Sequence, residues 1–110
     1  MNVLFLCSKN KLRSPTAEHI FADHPAIEVD SAGLSRDAEI RLSPEQIHWA
    51  DLIFLMEKVH RKKLNQSYQK HLKGKRLVVL NIPDNYPYLH PELIDLLQKK
   101  CTPYFPVYPS

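Results

Sequence analysis

Cys7 and Arg13 are the two residues of this 110-residue sequence best placed to perform chemistry together. Cys7 ends a short apolar run, and Arg13 stands directly before Ser14-Pro15, a pair that indicates the start of a helix. Residues 8–13 would then form a loop beneath a helix N-terminus. Backbone N–H groups of such a loop bind anions, a guanidinium can bind two phosphate oxygens, and the positive potential favours a thiolate over a thiol. The spacing therefore predicts a nucleophilic sulfur that faces a bound oxyanion.

The other side chains of this loop are predicted to support the anion and the sulfur. Ser14 is expected to cap the helix and to donate its hydroxyl to the thiolate. Asn10 tolerates left-handed backbone angles and can hold the glycine-free loop together through its amide. The predicted substrate-binding residues are Ser8, Lys9, Asn10, Lys11, Leu12, Arg13 and Ser14. The alternative is a core cysteine with an incidental arginine, for which the apolar run, the serine and the proline would coincide by chance.

Cleavage of a phosphate ester by a thiolate also requires a proton for the leaving oxygen. Asp84 follows the apolar run at residues 77–80 and stands between Pro83 and Asn85. Asp51 precedes a predicted strand and Asp95 lies within a predicted helix, so neither is expected at the same edge of the sheet. Asp84 is therefore the predicted general acid, and the alternative is an aspartate that only forms a turn.

Apolar runs alternate with helical patterns along the chain. Ser43-Pro44 with Gln46 predicts a capping box, and residues 34–42 show no clear period. Alternation of this kind is typical of an α/β domain whose parallel sheet places its site at the carboxyl ends of the strands. The predicted strands are 2–6, 27–30, 52–56 and 77–80. Two helices are predicted to begin at Ser14-Pro15 and at Ser43-Pro44, and two more are predicted to span 57–68 and 92–100.

Composition indicates an ordinary globular domain. The sequence is 44% apolar and 25% charged, with a net charge of +3. A chain of this size can bury a core without disulfides, and three prolines in the last eight residues predict a domain over 1–102 and a Pro-rich tail over 103–110. No apolar run approaches the ~20 residues that cross a bilayer, so neither a signal peptide nor a membrane anchor is expected.

Cysteine and histidine usage predicts a metal-free, reducing setting. The two cysteines form no CxxC motif, and the six histidines include no HExxH pattern. No metal or cofactor is expected, and the predicted compartment is the cytoplasm.

The stretch VLFLCSKNKLRSPTAE, residues 3–18, resembles the signature loop of the low-molecular-weight protein tyrosine phosphatases. Residues 31–33 resemble the end of that family's second strand, and residues 50–56 with His60 resemble its third strand and the helix after it; the resemblance extends to about residue 97. It implies a four-stranded parallel sheet flanked by helices, in the three-layer sandwich of the phosphotyrosine protein phosphatase I type.

The resemblance also implies roles for individual residues. Cys7 would carry a phosphocysteine intermediate, Arg13 and the loop amides would bind the anion, and Ser14 would support the thiolate. Asn10 would order the loop by bonding to Ser31. Asp84 would act as the acid of the first step and the base of the second, without a cofactor.

The sequence departs from the family pattern at three places. Lys9 stands where glycine is usual, Asn85 follows Asp84 where proline is usual, and residues 34–42 are too short for the family's additional helix. The chain is therefore expected to be a shortened member. Tyr86 and Tyr88 are candidates for the pocket entrance, with turn packing as their alternative role.

Other functions remain open at this point. Arsenate reduction uses this type of loop but requires further thiols, and only Cys101 is available. A non-catalytic module could bind nucleic acid or a phosphoprotein through the basic residues between 58 and 76. A nucleotide or a phosphorylated nucleic-acid end is an alternative substrate to a phosphotyrosine protein, and the oligomeric state is not predicted.

Overall fold

Four parallel strands form the centre of the protein in the order β2-β1-β3-β4. The computed structural model describes residues 1–107. The strands are β1 (Asn2–Cys7), β2 (Glu28–Gly33), β3 (Leu52–Leu55) and β4 (Arg76–Val79), and the α-helices are α1 (Arg13–Phe21), α2 (Pro44–Trp49), α3 (Lys58–Tyr68) and α4 (Pro91–Cys101).

Successive side chains of β1 point to opposite faces of the sheet, and both faces are covered. Val3 and Phe5 belong to a cluster that includes Phe21 of α1 and residues of α4. Leu4 and Leu6 belong to a second cluster that includes residues of α2 and α3. Burial on both faces explains the continuous apolar runs in the sequence. The predicted four-stranded parallel sheet flanked by helices, a three-layer sandwich, is confirmed.

Two predicted element boundaries are wrong by more than one residue, and both errors fall at the carboxyl edge of the sheet. The first helix begins at Arg13 with Leu12 at its N-cap position, so Ser14 lies inside the helix and does not cap it. Its hydroxyl bonds to a sulfur instead of to the backbone. The second strand continues to Gly33, because Ser31 and Gly33 pair with residues of β1. Ser31 therefore lies within a strand.

The start of α2 follows the prediction. Ser43 Oγ accepts a hydrogen bond of 3.4 Å from the Gln46 N–H, and Gln46 Oε1 accepts one of 3.0 Å from the Ser43 N–H. This is the predicted capping box. Residues 34–42 contain no helix and lie between β2 and α2.

The described chain remains packed past residue 102. Thr102–Tyr104 forms a 3₁₀ turn, and the buried ring of Phe105 meets the rings of Phe21 and Phe54 edge to face. The predicted tail 103–110 thus includes residues that belong to the core, while 108–110 lie outside the described residues. None of the helices described is long and apolar enough to cross a membrane.

Candidate active site

The loop 8–12 connects the carboxyl end of β1 to the N-terminus of α1. Gly33 lies so close to it that a β-carbon there would stand 2.6 Å from the Ser8 carbonyl oxygen, so only glycine fits. Backbone N–H groups of the segment after β2 fix the loop by donating to its carbonyls: Leu34 to Cys7 at 3.0 Å, Ser35 to Ser8 at 2.9 Å, and Glu39 to Lys9 at 2.9 Å.

The sulfur of Cys7 lies at the base of the loop, 3% exposed, with two polar neighbours. The Asn10 N–H donates to Sγ at 3.3 Å, and Ser14 Oγ lies 2.9 Å from Sγ. Because Ser14 Oγ also accepts from Asn10 Nδ2–H at 3.0 Å, its own hydrogen is available for the sulfur. Two donors aimed at one sulfur stabilise a thiolate.

Asn10 holds the loop in shape. Its φ of 57° is left-handed, a conformation that asparagine tolerates better than most residues. Its amide donates to Ser14 Oγ and, at 2.9 Å, to Ser31 Oγ, which in turn donates to Glu18 Oε1 at 2.5 Å. The structure thus brings Asn10 and Ser31 together as the resemblance implied, and α1 contributes Glu18 to the same chain of bonds.

Arg13 is 3% exposed and is held by one of its terminal nitrogens. Nη1 donates to Glu57 Oε2 at 2.7 Å and to the Ile82 carbonyl at 2.8 Å. Nε and Nη2 donate no hydrogen bond to any of residues 1–107; Nε lies 3.7 Å from Asp84 Oδ1. The guanidinium therefore keeps N–H donors for a ligand, and its orientation is fixed by the two bonds of Nη1.

Asp84 lies at the mouth of a cavity of about 160 Å³. Its carboxylate is 62% exposed. The cavity contains predicted catalytic and binding residues from two parts of the chain, and its lining residues are Cys7, Ser8, Lys9, Lys11, Leu12, Arg13 and Asp84. The sulfur, the guanidinium and the carboxylate thus share one cavity.

Lys9 and Lys11 line this cavity and also bind the segment after β2. Lys9 Nζ donates to Asp37 Oδ2 at 2.5 Å, and Lys11 Nζ lies 3.9 Å from Glu39 Oε1. The hydrogen bond from Lys9 holds the pKa of Asp37 below its ordinary value. The lysine that replaces the usual glycine therefore adds a cation at the rim and a link to the neighbouring wall.

Two residues at the start of α3, Glu57 and His60, belong to the site although no role was predicted for them from the sequence. Glu57 binds Arg13, and His60 Nε2 lies 3.0 Å from Ser8 Oγ. Their location directly after β3 is the sequence signal that could have identified them, because β3 lies beside β1 and ends at the same edge of the sheet.

The two tyrosines after Asp84 lie in different places. Tyr88 is 46% exposed and lines an adjacent groove together with Lys11 and Glu18. Tyr86 packs beside the His90 ring, with ring centres 5.7 Å apart. The groove of Tyr88 shares Lys11 with the cavity, whereas Tyr86 lines a different groove. Within residues 1–107, no group of three or more histidine, cysteine or acidic side chains is arranged to hold a metal ion.

The structure combines a parallel α/β sheet with a loop after its first strand that leads from Cys7 to Arg13. The family model described as low molecular weight phosphotyrosine protein phosphatase matches residues 2–49. The matched residues are 48 of the chain's 110, and over them the chain is similar to this family. No curated protein matches the sequence.

Solved structures of similar fold extend the comparison beyond residue 49. The YwlE arginine phosphatase from Geobacillus stearothermophilus is 21% identical, with 89% of this chain and 88% of that chain covered and a TM-score of 0.68. Wzb from Vibrio vulnificus, in complex with benzylphosphonate, is 20% identical over 94% of this chain and 95% of its own, with a TM-score of 0.75. The low molecular weight protein tyrosine phosphatase SP-PTP from Streptococcus pyogenes is 18% identical over 94% and 89%, also with a TM-score of 0.75.

Proposed function

We propose that the protein hydrolyses phosphate monoesters through a phosphocysteine on Cys7. The thiolate attacks phosphorus while the bond to the ester oxygen breaks, and the leaving oxygen takes a proton from Asp84. In the second step the Asp84 carboxylate takes a proton from water, which attacks phosphorus and breaks the bond to sulfur. Inorganic phosphate and the Cys7 thiolate result, and the acid is restored.

One observation carries this proposal: the Cys7 sulfur, the unused guanidinium nitrogens of Arg13 and the Asp84 carboxylate meet in a single cavity. Loop N–H groups and the N-terminus of α1 add donors for phosphoryl oxygens. Developing negative charge on the transferring group would face fixed positive charge. Neither Asp51 nor Asp95 competes for the acid role, because Asp51 caps the opposite edge by accepting from Asn2 N–H and Asp95 pairs with Lys99.

The proposed substrate is a phosphotyrosine side chain of a protein. An aromatic ester fits an entrance flanked by the exposed side chains of Leu12 and Tyr88, which are 37% and 46% exposed. Because YwlE is described as an arginine phosphatase and SP-PTP as a tyrosine phosphatase, both phosphorylated side chains belong in the test. A nucleotide or a nucleic-acid phosphate end is the remaining alternative, since Lys9 and Lys11 add cations at the rim.

Arsenate reduction lacks a suitable second thiol. Cys101 is fully buried in the apolar core, and burial raises its pKa to about 12. A thiol in that state is a poor resolving nucleophile at neutral pH. Phosphoryl transfer needs only the thiol that the cavity contains.

The basic residues between 58 and 76 are partly used inside the fold. Lys75 Nζ donates to the carbonyls of His48 and Ala50, and Arg76 stacks on the Tyr104 ring with its guanidinium carbon 5.1 Å from the ring centre. Fewer cations therefore remain for a nucleic acid than the sequence suggests. Two cysteines that are both unpaired fit the proposed cytoplasmic location, where thiols stay reduced.

Hydrolysis of p-nitrophenyl phosphate in EDTA tests the mechanism. We expect turnover by the wild type and by Cys101→Ser, a matched control at the second cysteine, and loss of at least ~10³-fold in Cys7→Ser. Cys7→Ser that keeps wild-type turnover would refute the mechanism. Release of phosphate from phosphotyrosine peptides, phosphoarginine peptides and mononucleotides, compared by kcat/KM, then ranks the substrate classes.

A further inference from the structure

His60 is fully buried, and it lies on the face of α3 that adjoins loop 8–12. Its Nδ1 accepts a hydrogen bond of 3.1 Å from the Glu57 backbone N–H. A ring nitrogen that accepts a bond carries no hydrogen, so in the neutral ring the hydrogen is on Nε2. The tautomer of His60 is therefore set by the backbone at the start of α3.

The same hydrogen identifies the donor in the contact with Ser8. Nε2 lies 3.0 Å from Ser8 Oγ and, as the protonated nitrogen, donates to it. Ser8 Oγ makes this one hydrogen bond among residues 1–107, so its own hydrogen has no protein partner there. Because Ser8 lines the cavity with Cys7 and Arg13, that hydrogen is available to a phosphoryl group bound there.

We propose that His60 is a positioning residue: by donating Nε2–H to Ser8 Oγ, it turns the Ser8 hydroxyl into a donor aimed at the phosphoryl oxygens. This inference rests on the proposed function, because the phosphoryl group is its target. Without His60 the hydroxyl could rotate and present a lone pair to the anion. With His60 in place, the loop gains a fixed O–H donor in addition to its N–H groups.

Burial and the neighbouring positive charges keep the His60 ring neutral, as the arrangement requires. Burial, followed by the positive charge of Arg13, lowers the pKa of His60 to about 4. Lys63 on its own helix acts in the same direction, whereas Glu57 and Asp84 oppose it. A protonated ring would also set an Nδ1–H against the Glu57 N–H.

Two variants separate the donor to Ser8 from the acceptor for Glu57. The Asn side chain in His60→Asn can keep an acceptor near the position of Nδ1 but is too short to replace Nε2, whereas Gln in His60→Gln can place an N–H near Nε2. At the other end, Ser8→Ala removes the hydroxyl and Ser8→Thr retains it. Ser35→Ala is the matched control. Ser35 follows β2, as Ser8 follows the neighbouring strand β1, but Ser35 does not line the cavity.

Steady-state kinetics with p-nitrophenyl phosphate and inhibition by inorganic phosphate provide the readout. We expect Ser8→Ala and His60→Asn each to lower kcat/KM by about 10- to 100-fold and to weaken phosphate inhibition, while Ser8→Thr and His60→Gln should lose less than these variants and Ser35→Ala should stay close to the wild type. The double variant Ser8→Ala/His60→Asn should be no slower than either single variant, because His60 acts through Ser8. A purely structural role would give multiplied losses and a lower Tm.

Three results would overturn the inference. One is wild-type kcat/KM in Ser8→Ala, another is a double variant whose losses multiply, and the third is a wild-type protein whose imidazole ¹⁵N spectrum shows His60 with a hydrogen on Nδ1. The spectrum needs no variant and decides the case even if His60→Asn does not fold. Failure of the proposed function would look different, since hydrolysis would then persist in Cys7→Ser.

Discussion

The two cysteines lie at opposite extremes of chemical environment within one small core. Cys7 ends β1 at the edge where loop 8–12 gathers polar donors around its sulfur, and it adjoins a cavity. Cys101 ends α4, is 0% exposed and is surrounded by the apolar residues of the cluster that also contains Phe105. Burial raises the pKa of Cys101 to about 12, against the opposing positive charge of Lys100.

From this difference we expect that burial by itself does not decide whether a thiol can react. Both residues are hidden from solvent to a similar degree, at 3% and 0% exposure. What separates them is the presence of hydrogen-bond donors and a neighbouring guanidinium, which compensate for lost water around a negative sulfur. The following experiments test how far this contrast extends.

Alkylation should show the largest difference. The raised pKa of Cys101 leaves about 10³-fold less thiolate at neutral pH than an ordinary cysteine has, while donors surround Cys7. We expect iodoacetamide to modify Cys7 at least ~10³-fold faster, as followed by mass spectrometry of the intact protein and its peptides. Inorganic phosphate should protect Cys7. Comparable rates at the two sites would contradict the contrast.

Replacement of the acid should affect only the chemistry at Cys7, and it should depend on the leaving group. We expect Asp84→Asn to lower kcat by about 10²-fold for phenyl phosphate, whose leaving oxygen needs a proton. The loss should be much smaller for p-nitrophenyl phosphate, whose leaving group is stable as an anion. Alkylation of Cys7 should remain fast in this variant. An equal loss with both substrates would argue against proton donation by Asp84.

Low pH should lower the stability of the folded protein through His60, which adjoins the loop around Cys7. The pKa of His60 is about 4 in the folded protein and about 6.5 when unfolded, so between these pH values the unfolded chain binds more protons. Stability from this residue is complete above pH 6.5 and is lost as pH falls toward 4, by about 3 kcal/mol in total. Urea unfolding at a series of pH values should show this loss in the wild type.

The His60→Gln variant is the control for that measurement. Glutamine does not titrate, so the variant should lose about 3 kcal/mol less than the wild type over the same interval. Identical pH profiles for the two proteins would remove His60 as the cause.

The smallest effect is expected for a substitution at Cys101, which lies in the apolar core. Cys101→Ala removes a buried sulfur without introducing a polar group and should cost about 1–2 kcal/mol of unfolding free energy. Neither kcat nor KM should change. Urea unfolding together with p-nitrophenyl phosphate kinetics measures both, and a loss of activity in the folded variant would show that the two regions are coupled.

The local pattern was sufficient for most of the fold. Continuous apolar runs predicted β1, β3 and β4, the short stretch 27–30 predicted β2, and the Ser43 and Gln46 signal predicted the start of α2. These features depend on burial and on bonds between near neighbours. Ser14 misled the same reasoning. A serine before a proline normally caps a helix, but here a sulfur seven residues away in sequence lies 2.9 Å from its hydroxyl.

Sequence alone predicted that Cys7, Arg13 and the residues between them form one loop, because one strand–loop–helix turn brings contiguous residues together. It also predicted Asp84 at the same edge of the sheet, since Asp84 follows an apolar run. The folded structure was needed to add Glu57 and His60, which follow β3 and reach the loop because parallel strands end at one common edge. Spacing along a chain carries no record of which strands become neighbours, so the orientation of Arg13 and the tautomer of His60 could be read only from the folded protein.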